Sequence, residues 1–264
     1  MMRVFFLLGA LLALAPLLTA GAADSEAMEI LKAVHLRDRG RDLVWDVSID
    51  LIDAGGDTRQ RTGKIYRREL EGGRSEQVTV FLSPANIRHT ALLDVEAEDN
   101  TDYMWLYLPA LKMTKQVPAA ERGDKFVGTD FTNEDVNLGF EYEDYAGTLL
   151  ERTREDGHPV VVMNIDPRTE ELKRELGFDH SVARVRTDQA FIVDQRFFKG
   201  DREIRHNRSL DIRPIDGILT PMDLRSEDLV NDHRTVLKVR TAQYNSEVPA
   251  SYFSKEALAR ELYR

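Results

Sequence analysis

The chain contains no cysteine. Disulfides, thiol nucleophiles, cysteine-bound metals and a lipid anchor on an N-terminal cysteine are all excluded, so the fold must be held by its core. Histidine is sparse: His35, His89, His158, His180, His206 and His233 never fall at the i, i+4 spacing of a helical metal site. No H-E-x-x-H, G-x-S-x-G, Walker loop or G-x-G-x-x-G occurs. Positive charge is short as well, with 36 Lys and Arg against 46 Asp and Glu and a net charge of −10. That balance argues against nucleic acid and against anionic membrane surfaces. Beyond residue 18 there is no apolar run long enough for a membrane-spanning helix.

The single apolar run lies at the start. Arg3 precedes an almost wholly apolar Val4–Leu18, and Ala20-Gly21-Ala22 is a small-x-small cleavage site. Gly9 and Pro16 interrupt the run, so residues 1–22 read as a secretory leader and 23–264 as the exported chain. We read the exported part as one domain, since β folds often run to roughly 200–250 residues as a single unit.

Past a short helix expected over Ser25–Leu36, the rhythm is that of strands. Leu43, Trp45, Val47, Ile49 and Leu51 alternate with mostly polar residues, which makes a half-buried strand with one greasy face. Gly55-Gly56-Asp57, Gly72-Gly73 and Glu98-Asp99-Asn100 mark turns between further strands. Pro109 to Asn137 is irregular, with Thr132 and Asp135 spaced to cap a short helix. Strand patterns resume from Thr148 to Tyr244, interrupted by a turn or helix over Pro167–Leu176. Ser254 is placed to cap a closing helix. About ten or eleven strands in one sheet must curl or split into layers, and a curled sheet with helices at its mouth encloses a cavity.

Chemistry-bearing clusters are few. Asp130, Glu134 and Asp135 lack the alternate spacing and bend glycine of a calcium loop, and helix capping by Thr132 is the simpler reading. No acid pair is singled out for glycoside chemistry. Asn207-Arg208-Ser209 fits a glycosylation acceptor by chance. Tyr103, Trp105 and Tyr107 form one face of a strand whose other face is Met104, Leu106 and Leu108, so both faces are covered. The candidate cavity lining is Leu43, Trp45, Val47, Ile49, Trp105 and Phe131. No catalytic residue, metal ligand or cofactor is assigned.

One stretch carries a resemblance. Leu106-Tyr107-Leu108-Pro109-Ala110-Leu111-Lys112, followed by Phe126-Val127-Gly128-Thr129-Asp130-Phe131-Thr132-Asn133-Glu134-Asp135, resembles the outer-membrane lipoprotein-sorting proteins, relatives of LolA. Phe191–Lys199, Gly217–Pro221, Thr235–Tyr244 and Val248–Leu258 add to it. The chain departs from the pattern at Thr114-Lys115, where an arginine pair is usual, and at Val127, where Met is common. The resemblance implies an incomplete antiparallel β-barrel of about eleven strands, closed by short helices over a hydrophobic cavity, LolA/LolB-like. It also implies a periplasmic carrier of lipid or lipoprotein acyl chains, working between an inner-membrane transporter and an outer-membrane acceptor. Two other readings stand beside it: a non-catalytic accessory module of an inner-membrane lipid exporter, and a lipid or glycan hydrolase.

Overall fold

The alternation at Leu43–Leu51 becomes β1 (Asp42–Ile52), in which Leu43, Trp45, Val47, Ile49 and Leu51 turn to one buried face. The computed structural model describes residues 20–98, 102–136, 141–260 and 263. The hairpins that follow give β2 (Thr58–Glu69), β3 (Ser75–Ser83), β4 (Ala91–Glu96), β5 (Asp102–Leu108) and β6 (Met113–Val117). After a long connection come β7 (Tyr145–Glu155), β8 (His158–Pro167), β9 (His180–Arg186) and β10 (Phe191–Lys199). The last three are β11 (Arg202–Ile215), β12 (Ile218–Asp228) and β13 (His233–Tyr244). Among the described residues the strands number thirteen rather than about eleven. β6 arises inside the stretch read as irregular, because it borrows its order from pairing with β5.

All thirteen form one antiparallel sheet, in the order β6-β5-β4-β3-β2-β1-β13-β12-β11-β10-β9-β8-β7. Each strand pairs with its chain neighbour except at the centre, where β1 lies against β13 from Leu43 opposite Tyr244 to Ile52 opposite Arg234. β6 and β7 are the two edges, so the sheet stays open and forms an incomplete barrel. The described parts of the connection between them, 118–136 and 141–144, provide the material that covers the concave face.

Four α-helices complete the described chain. α1 (Ala20–His35) starts before the expected Ser25, while residues 1–19 of the expected leader lie outside the described residues. It packs on β7 through Gly147, where an added Cβ would meet Ala27 Cβ and Met163 Cε at 3.0 Å. Glycine is what allows the helix so close. α2 (Asn133–Val136) carries the expected capping box, with Asp135 N–H donating to Thr132 Oγ1 at 3.1 Å and Thr132 N–H donating to Asp135 Oδ2 at 2.8 Å. α3 (Glu170–Leu176) is capped by Thr169 and ends at Gly177, φ +77°. α4 (Lys255–Arg260) receives the Ser254 cap.

The apolar side chains divide into three cores. One lies on the concave side of β1–β5 and β12–β13, and a second lies under α1 and α3 on β7–β10. The third, on the convex side of β2–β5, is covered by α4 and the C-terminal segment, with Phe253, Leu258 and Tyr263 buried there.

Candidate functional site

The seam between the two concave cores is not filled. A cavity of about 270 Å³ lies there. Leu43, Trp45 and Ile218 line it from the first core, Ile165, Phe178 and Phe197 from the second, and Phe191 of β10 beside them. Phe131 enters it from the covering loop. The Trp45 indole is fixed by donating to Tyr244 Oη at 3.2 Å, and Tyr244 in turn contacts Thr220 Oγ1 at 2.6 Å. Polar side chains ring this apolar body: Arg37, Arg39, Arg205, Arg208 and Arg225, with Glu134 and Asp135.

Of the six residues expected from sequence, Leu43, Trp45 and Phe131 border the cavity. Val47 and Ile49 lie further along the same face of β1, packed inside the first core. Trp105 is elsewhere. On β5 the concave positions are Met104 and Leu106, and Trp105 shares the convex face with Tyr107. Its ring stacks on Tyr103 at 5.7 Å between centroids and carries the Lys255 ammonium 5.1 Å from its own. The expectation for Trp105 is therefore corrected. Strand alternation tells which residues share a face, and only the fold tells which face is concave. Sequence reasoning missed the arginines at the rim and the aromatics Phe178, between α3 and β9, and Phe191 and Phe197 on β10, because their proximity to β1 arises only when β13 pairs with β1.

The loop that carries the sequence motif is pinned by buried charge. The Asp130 side chain is fully enclosed and receives Lys125 Nζ at 2.7 Å, His233 Nδ1 at 2.5 Å and Thr235 Oγ1 at 2.8 Å. Its own N–H donates to Thr235 and its carbonyl accepts from Ser226, both at 2.9 Å. Lys125 also reaches Asp228 at 2.6 Å. Val127 sits in the left-handed region, φ +47°, a costly place for a β-branched residue. Arg61 Nη1 donates to its carbonyl at 2.6 Å. Further on, Asp135 is paired with Arg205 and accepts from Asn207, and the Val136 carbonyl accepts from Gln77. The loop thus spans the concave face from β3 to β11.

Behind it, Arg122 joins Asp102 at 2.5 Å and Glu134 at 2.9 Å. Burial raises the Glu134 carboxyl to about 7, against the pull of Arg122. Burial also raises Glu141 to about 7, helped by a hydrogen bond with the Glu96 carboxyl. Asp94 is pushed well up, first by burial and then by neighbouring acids. At the other end of the cavity, burial pulls the guanidiniums of Arg37 and Arg39 down to about 10 and about 9, and Arg67 lowers both further.

Among the described residues there is no group of three or more His, Asp or Glu placed to hold a metal. His206 and Asp194 meet at 2.6 Å, but their chain neighbours Asn207 and Gln195 face the cavity, so the pair stands on the opposite side of the sheet. No described helix is long and apolar enough to cross a membrane.

Comparison with known proteins follows the geometry. No curated protein matches the chain. A solved outer membrane lipoprotein-sorting protein domain from Vibrio parahaemolyticus superposes with a TM-score of 0.81 at 22% identity, covering 90% of this chain and 100% of that one. A DUF1329 family protein from Desulfovibrio piger gives 0.81 at 23% identity, covering 89% and 99%. A LolA superfamily protein from Nitrosomonas europaea gives 0.67 at 16% identity, covering 87% and 98%. A family model described as "Uncharacterized protein" matches residues 73–260. The chain belongs to that family, and its fold is that of the outer membrane lipoprotein-sorting and LolA-superfamily proteins.

Proposed function

We propose that the protein is a periplasmic carrier, which takes the acyl chain of a lipid or lipoprotein into this cavity and conveys it towards the outer membrane. The observation that carries the reading is the unfilled, largely aromatic and aliphatic seam between the two concave cores. Each CH₂ exposed to water costs about 0.8 kcal/mol, so a long acyl chain costs on the order of 10 kcal/mol to move unprotected across an aqueous gap. A dry cavity removes that cost and needs no covalent step. An inner-membrane transporter as donor and an outer-membrane acceptor complete the scheme. Residues 1–22 are removed on export in this reading, which the intact mass of protein from a periplasmic extract checks.

The two tryptophans make the test simple, because Trp45 borders the cavity and Trp105 lies on the convex face. In a Trp105→Phe variant, a fatty acid brominated on its chain quenches Trp45 fluorescence saturably. In Trp45→Phe, Trp105 stays bright. Phe131→Asp abolishes the quenching while the far-ultraviolet β signal persists. Unquenched Trp45 at saturating lipid, or equal quenching of both tryptophans, sinks the proposal.

A further inference from the structure

Arg37 and Arg39 stand at one end of the cavity, and Arg67 behind them is close enough for its charge to act on both. Arg37 and Arg39 line it. Arg67 lies on β2 directly opposite Leu43 of β1, so the two side chains share the concave face. Arg67 is only 4% exposed. Its Nε and Nη1 have no hydrogen-bond partner, and neither has Nε of Arg39.

Part of this is explained within the fold. Arg39 donates to the carbonyls of His35 and Val34 at 2.6 and 3.3 Å, which closes the C-terminus of α1. Arg37 donates to the Leu219 carbonyl at 3.2 Å and rests 4.4 Å from the Phe191 ring centroid. Nothing of the kind holds Arg67. Glu69 and Glu96 are the acids that act on it, yet no described residue forms an ion pair with any of the three arginines. Glu96 accepts from Ser75 N–H instead. A guanidinium cannot discharge itself by losing a proton. Arg67 held away from water with N–H donors unused, beside two half-buried guanidiniums of like charge, is costly unless an anion completes the group.

We propose that Arg37, Arg39 and Arg67 form a receptor for an oxyanion, a phosphate or carboxylate, carried as the head of the amphiphile whose tail occupies the cavity. The tail half of this statement rests on the carrier reading, and the head half does not. Charge-assisted, forked N–H contacts are what such a head recognises.

Calorimetric titration with three probes separates the two halves. Dodecyl phosphate has head and tail, monolaurin has a neutral head with a similar tail, and inorganic phosphate has a head alone. The wild-type protein is expected to bind dodecyl phosphate roughly 10- to 100-fold more tightly than monolaurin. Arg37→Gln and Arg67→Met each remove most of that preference, and Arg67→Met, whose side chain lies outside the cavity lining, leaves monolaurin affinity unchanged, which also shows that this variant folds. Equal affinity for the two lipids, or a preference that survives both substitutions, overturns the receptor and leaves the carrier standing. Binding of inorganic phosphate that Arg67→Met abolishes, without binding of either lipid, supports the receptor for a free anion and overturns the carrier. Binding of none of the three overturns both.

Discussion

Two buried groups of charge flank the cavity. Under the loop, Asp130 meets Lys125 and His233, Asp135 meets Arg205, and Asp102 and Glu134 share Arg122. Across the cavity, Arg37, Arg39 and Arg67 meet no acid within ion-pair distance among the described residues, and their relief is limited to carbonyls and a ring. Even the exception on the acidic side is instructive. Asp94 Oδ2 has no partner, but burial raises its pKa, and a carboxyl can shed its charge by taking up a proton. Arginine has no such escape. An unpartnered buried acid is thus weak evidence of a ligand, whereas an unpartnered buried arginine is strong evidence. The first group holds a loop in place; the second is left ready for something that arrives.

That contrast is easily broken if it is false. The largest effect is expected at Asp130→Ala, which takes the carboxylate from His233 and Thr235, leaves Lys125 with Asp228 alone, and should cost about 3–5 kcal/mol in denaturant unfolding. A loss under about 1 kcal/mol would show that the loop network does not hold the fold. Arg122→Met should follow at about 2–4 kcal/mol, since it leaves Asp102 and Glu134 facing each other without a cation. Glu141 gives a smaller, pH-dependent effect. Its folded pKa of about 7 lies above the ordinary 4.5, so its contribution to stability is complete below about 4.5 and disappears as pH rises through 7. Unfolding of the wild type between pH 5 and 7.5 should show about 1 kcal/mol of decline that Glu141→Gln lacks. The smallest change is expected at Arg67→Met, neutral or stabilising by up to about 1 kcal/mol without ligand. A large loss there would mean that Arg67 is structural after all.

Much of the fold was legible because it rests on local pattern. The period-two alternation marks β1 and its neighbours, and the caps at Thr132 and Ser254 form where side-chain spacing places them. β6 was not legible, since Met113–Val117 has no alternating face of its own and owes its order to β5. The site was half legible. Leu43, Trp45 and Phe131 follow from a greasy face and a motif, but Trp105 shows that alternation cannot tell concave from convex. Nor could Arg67 be distinguished from the surface arginines beside it. Its burial depends on β1 and β3 flanking it, and hydropathy at one position carries no trace of that.

The pairing of β1 with β13 has a kinetic consequence. Every other contact between adjacent strands joins chain neighbours, and apart from the β8–β9 connection that carries α3 these are joined by short turns and loops that close quickly. The two halves of the sheet can therefore zip separately, and joining Leu43 to Tyr244 is the event that must bridge the whole chain. The cavity is bounded by residues on both sides of that junction. Until the first and last strands meet, there is nowhere for cargo to sit. Competence to bind and completion of folding should then share one rate constant, so under the proposed carrier function a chain cannot be loaded before its last strand has docked.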